Sequence, residues 1–148
     1  MAQSVTNRLK YLALNAYISG GSTAPDLRLG LLKTCAGMTN VPDLNTVAEM
    51  EAHADFAELT GASGYARVAL TGEAVTEVDG SDWAAFDVND AEFGALGTGG
   101  TIVGWFLYEH HDNGDDSLNI LVAIGDLAST PTNGGTVTVN IADILRAL

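Results

Sequence analysis

The one dense run of side chains able to ligate a metal or move a proton is Glu109-His110-His111-Asp112-Asn113-Gly114-Asp115-Asp116. Carboxylates offer hard oxygen ligands of the kind calcium takes, and imidazoles suit several transition metals. The spacing serves neither chemistry. An EF-hand loop places ligands at its first, third and fifth positions with glycine following them, and this run does not fit that pattern. Adjacent histidines on extended backbone point to opposite faces, so His110 and His111 would not chelate together. The run reads as a solvated hairpin tip whose Asn113-Gly114 supplies positive φ. No metal ligand is assigned.

Other stretches invite chemistry and do not sustain it. Gly97-Thr-Gly-Gly100 lacks the further glycine of a dinucleotide fingerprint, and a strand follows it where a helix is required. Gly61-Ala-Ser-Gly64 does not match a nucleophile elbow. His53 reads as a surface residue near Glu49. Acidic pairs could be nominated for glycoside hydrolysis, but nineteen acidic residues make any such pair uninformative. No catalytic residue and no cofactor is assigned, and an enzyme is not expected. Cys35 is the only cysteine, which excludes an intrachain disulfide and a multi-thiolate zinc site. It reads as a small buried hydrophobe near the end of a strand.

The formal net charge is −13. Arg8, Lys10, Arg28, Lys33, Arg67 and Arg146 are scattered and form no basic stripe, so neither nucleic acid nor an anionic membrane is an expected partner. No signal-peptide core and no run long enough to span a bilayer is visible, so folding in a cytosol is expected. The length of 148 residues suggests a single domain, residues 1–148, with an N-terminal helix or arm over 1–20 and a β domain over 26–148.

The elements follow from periodicity. Val5, Leu9, Leu12 and Ala16 behind Ser4 predict an amphipathic helix that Gly20-Gly21 stops. Leu27 to Lys33 alternates as a strand, and Thr34 to Leu44 has turn composition. Thr46-Val-Ala-Glu49 fits a capping box, which predicts a short helix with Val47, Met50 and Ala54 on one side. Strands are expected over Tyr65 to Leu70, Leu118 to Ile124 and Thr136 to Asn140. A hairpin is expected between Ala74–Val78 and Trp83–Val88. The densest apolar stretch, Ile102 to Tyr108, predicts an interior strand covered on both faces, with Trp105 buried. Ile141 to Leu148 is expected as a helical turn or short extended tail. Short strands separated by Gly, Asn and Asp make the fold mainly β, an antiparallel β-sandwich or jelly-roll-like barrel. An N-terminal amphipathic helix and one short helix in a long connection are added to it.

The order of motifs resembles a family of small virion proteins from tailed bacteriophages. The resembling pieces are Leu27-Arg-Leu-Gly-Leu-Leu-Lys33, Gly64-Tyr-Ala-Arg-Val-Ala-Leu70, Ala85-Phe-Asp-Val-Asn-Asp-Ala-Glu-Phe93 and Ala95-Leu-Gly-Thr-Gly-Gly-Thr-Ile102. Leu107-Tyr108, Asn133-Gly-Gly135 and Ile144-Leu-Arg-Ala-Leu148 complete the series, while Thr34 to Leu59 departs from it. The resemblance implies a capsid cement or decoration protein on the outer surface of the virion, made in the host cytoplasm. It would stabilise the head by contacts with the major capsid protein, often as a homotrimer, and it implies no catalytic motif. The expected trimer contacts are the N-terminal helix and the connection from Thr34 to Leu59. The alternative is a tail or fibre component with a β-sandwich module that recognises a receptor or glycan, for which Trp83 or Tyr65 could serve.

Overall fold

The computed structural model describes residues 25–62, 64–78, 83–140 and 145–147. The expected N-terminal helix lies outside them. The described residues are mainly β, 46% strand and 9% helix, with antiparallel sheets and a β-sandwich-like character. They divide into two compact units, one within 26–69 and 91–139, the other within 70–90 and 140–147. Among the described residues no helix is long and apolar enough to cross a membrane.

In the larger unit, strands β1 (Leu27–Cys35), β2 (Phe56–Glu58), β3 (Val68–Ala69), β7 (Thr101–Glu109) and β8 (Ile120–Pro131) form a five-stranded sheet. Its order is β2-β1-β7-β8, and β3 pairs β1 beside β2. A separate pair joins β6 (Ala91–Phe93) to β9 (Val137–Val139). β7 is interior, as its composition predicts. Ile102, Gly104, Phe106 and Tyr108 are buried on one face and Leu107 on the other. Phe106 pairs across with Gly30, and a Cβ at Gly30 would overlap its ring, so the glycine makes room for the aromatic.

Trp105 departs from expectation: it is half-buried. It pairs with Gly125 on the edge strand β8, and its indole lies against that glycine, which offers no side chain of its own. Trp105→Ala is therefore expected to cost about 2 kcal/mol, below the roughly 3–5 kcal/mol of a fully buried aromatic. Urea midpoints check this.

The connection after β1 is more ordered than its turn composition suggests. β1 runs to Cys35, a 3-10 helix spans Met38–Asp43, and α1 spans Val47–Ala52. Thr46 caps α1 in a complete capping box with Glu49. Thr46→Ala should cost about 1 kcal/mol, measurable as a lowered unfolding midpoint. Val47 and Met50 are fully buried in one cluster with Leu32, Phe56, Phe106, Tyr108, Leu121 and Ile124. Val47 and Met50 close the unit's own core and are not free for a neighbouring subunit, while Ala54, expected on the same side, lies beyond the helix and is exposed. His53 is half-buried, its ring 5.7 Å from that of Phe56.

β8 begins at Ile120, two residues later than the expected Leu118, and continues to Pro131. Its register on β7 jumps, with Ile102 opposite Thr130 and Gly104 opposite Asp126, so the edge strand bulges past Leu127 to Ser129. The strand expected over Tyr65 to Leu70 contracts to Val68–Ala69.

In the smaller unit, β4 (Ala74–Val78) pairs in register with β5 (Trp83–Asp87), as the hairpin reading predicts. β10 (Leu145–Ala147) adds to the other side of β5, so these three residues of the expected Ile141 to Leu148 element are extended, and the rest of it lies outside the described residues.

Candidate functional site

The principal polar cluster of the larger unit is built on Arg67, just before β3. Its guanidinium lies over the Phe106 and Tyr108 rings, 5.3 and 5.2 Å from their centroids, at cation–π distance. Nε and Nη2 donate to Glu58 Oε1 and Oε2 at 2.8 and 2.7 Å. Nη1 and Nη2 donate to Asp116 Oδ1 and Oδ2 at 2.5 and 2.9 Å. Nη2 also lies 2.9 Å from Glu51 Oε1. The cluster thus ties together the end of α1, β2, the approach to β3 and the β7–β8 loop.

Tyr65 extends it. Its hydroxyl donates to Glu58 Oε1 at 2.7 Å and accepts from Leu31 N at 3.0 Å. That amide lies on the outer edge of β1, between the residues paired with β3 and those paired with β2. The phenol substitutes there for a strand neighbour. The Tyr65 ring stacks on Phe93 at 6.2 Å. Tyr65 is thus engaged within the fold and is not the free exposed aromatic that a glycan site needs. The side chain of Trp83 lies outside the described residues.

The electrostatics follow from this packing. Burial alone would lower the Arg67 pKa, but the hydrogen bonds to Glu58 and Asp116 outweigh it and raise the value. Burial pushes Glu58 up, and the bonds from Arg67 and Tyr65 more than reverse this, holding its carboxyl below the usual range. Asp116 is lowered chiefly by its bond from Arg67. Burial raises the Tyr65 phenol, and the Glu58 charge adds to it. Glu51 goes the other way, pushed up to about 7 by burial and by the neighbouring carboxylates Glu58 and Asp116.

The acidic run opens the β7–β8 connection, and the described residues hold no group of three or more metal-ligating side chains. Asp112 Oδ1 accepts from the amides of Gly114 and Asp115, and Asp115 Oδ1 accepts from both the amide and the hydroxyl of Ser117. Asn119 is 1% exposed, and its amide uses all its capacity. Oδ1 accepts from the amides of His111 and Asp112, while Nδ2 donates to Asp112 O and Asp116 Oδ1. The expected positive φ is absent at Gly114. The carboxylates turn this loop by accepting backbone amides. His110 and His111 have different surroundings: the His110 ring meets Tyr108 edge-on, and His111 Nε2 is 3.4 Å from Glu109 Oε1.

Two clefts flank these elements. One of about 430 Å³ is lined by Arg28, Arg67, Tyr108, His110, Asn113 and Asp116. Another of about 480 Å³ lies between the turns at Thr60–Gly61 and Thr98–Gly100, with Lys33 at its wall. The carboxylates of the Arg67 cluster are poorly placed for acid–base chemistry on a substrate in the first cleft. The Glu58 side chain is 6% exposed and both its oxygens are engaged. Glu58 and Asp116 are held ionised by a fixed cation, which makes them weak bases.

The sequence reading passed over Arg67, Glu58, Glu51 and Asp116 as a group. The available signal was slight: a charged residue within the apolar Tyr65-Ala-Arg-Val-Ala-Leu70. A scan against models of known families finds no match to this chain, and neither does a search of curated proteins or of solved structures.

Proposed function

We propose that this protein is a bacteriophage virion structural protein, a capsid cement or decoration protein that stabilises the head through contacts with the major capsid protein. The observation that carries the reading is where the polar groups go. Arg67, Glu58, Asp116, Tyr65 and Asn119 are closed on one another and on backbone groups, so they fix loops to a sheet. Such a network suits a protein that acts as a rigid surface. The ordered series of motifs from Leu27 onward supports the same reading, as does a mainly β fold.

On this proposal the protein sits on the outer capsid surface and self-associates as a homotrimer. Val47 and Met50 of α1 are enclosed in the core, so the trimer reading rests on the N-terminal residues. The test mixes purified full-length protein with capsids that lack it and measures co-sedimentation. Saturable binding with a fixed number of copies per shell is expected. Failure to bind any maturation state of the shell would overturn the proposal.

A further inference from the structure

Three carboxyl groups accept from a single nitrogen of the Arg67 cluster. Nη2 carries two N–H groups. It donates to Glu58 Oε2 and Asp116 Oδ2, completing a fork to each with Nε and Nη1. It also donates to Glu51 Oε1 at 2.9 Å, so one of its N–H groups is shared between two carboxyls. One positive charge already faces two negative ones, and an ionised Glu51 would be a third.

Glu51 is also the carboxyl with a way out. Its side chain is 37% exposed, against 6% for Glu58 and 29% for Asp116. It belongs to the last turn of α1, which carries no basic residue of its own, and an anion there is disfavoured by the helix dipole. A neutral Glu51 can still accept from Arg67 through its carbonyl oxygen, and it adds no third negative charge beside Glu58 and Asp116.

We infer that Glu51 is a proton-operated latch: neutral, it holds the C-terminal end of α1 against the Arg67 cluster, and ionised, it releases that end. The groups facing it are Arg67 from the approach to β3, Glu58 from β2, Asp116 from the β7–β8 loop and Lys33 from β1, which lines a cleft with it. Tyr65 and His110 act one step removed, through Glu58 and Asp116. On α1 itself, Glu49 is turned away to the amides of Asn45 and Thr46.

The direction of the pH effect is fixed by these surroundings. Glu51 is raised from 4.5 to about 7 in the folded protein. Between those values the folded state keeps a proton that the unfolded chain has lost, so stability falls as pH rises through the window. Glu58 and Asp116 are lowered, and their contribution is lost at more acid pH, below the window. The latch is independent of the proposed virion role.

The experiment follows the side-chain carboxyl carbons of the full-length protein by NMR between pH 4 and 9. It pairs this with amide exchange at His53, whose N–H donates to Met50 O at the C-terminal end of α1. A Glu51 midpoint near 7 is expected, with protection at that amide falling across the same range while that of β7 holds. Glu51→Gln should abolish the fall. The advantage of this variant in melting temperature over the parent should grow by about 3 °C between pH 5 and pH 8. A Glu51 midpoint between 4 and 5, or protection unchanged across the window, would overturn the latch even if the variant did not fold.

Discussion

Replacing Arg67 with alanine should destabilise the larger unit by about 3–5 kcal/mol, the cost of removing one partner from a buried ion pair. The Arg67 side chain is 18% exposed and that of Glu58 6% exposed, so Glu58 would keep its burial and lose its cation. Tyr65 and Asp116 would lose their shared anchor, and the Phe106 and Tyr108 rings would lose the guanidinium above them. Arg67→Lys should recover only part of this, because an ammonium cannot present two forks to two carboxylates. Arg67→Leu combined with Glu58→Leu should cost clearly less than the two single changes added together. Urea unfolding with unchanged slope gives these values. A loss below about 1 kcal/mol for Arg67→Ala would mean that the cluster is solvated and contributes as surface pairs do.

Phe106→Ala should cost a similar amount, about 3–5 kcal/mol. The ring is fully buried and central to the cluster of Leu32, Met50, Phe56 and Ile124. It also fills the space above Gly30, so truncation leaves a cavity that Gly30, without a side chain, does not fill. The reciprocal change, Gly30→Val, should be damaging for the opposite reason, since the new side chain would occupy the position of the ring. If Phe106→Ala lowered the unfolding midpoint no more than Trp105→Ala does, the assignment of the two faces of β7 would be wrong.

These cases mark how much of the fold could be read from residue order. The alternation in Leu27 to Lys33, the β4–β5 hairpin and the Thr46 capping box are local signals, and each appears where it was expected. The second half of β8 was hidden because Gly125-Asp126 looks like a break. The structure continues the strand through a bulge, with the Trp105 indole lying over Gly125. The parity of Trp105 was legible and its exposure was not, since exposure depends on what the neighbouring strand offers. Thr34 to Leu44 looked like a turn because Gly37 and Pro42-Asp43 punctuate it, yet Val41 and Leu44 pack on the core. The Arg67 cluster was illegible for a simpler reason. Glu58, Glu51 and Asp116 lie 9, 16 and 49 residues from it, and no periodicity links such positions.

The proposed virion role can be measured most directly as a copy number. Quantitative mass spectrometry of purified particles compares this chain with the major capsid protein. A cement protein on the outer shell is expected in hundreds of copies, in a fixed and simple ratio to the major capsid protein. Absence from the particle, or a handful of copies as in a tail tip, would contradict the capsid assignment.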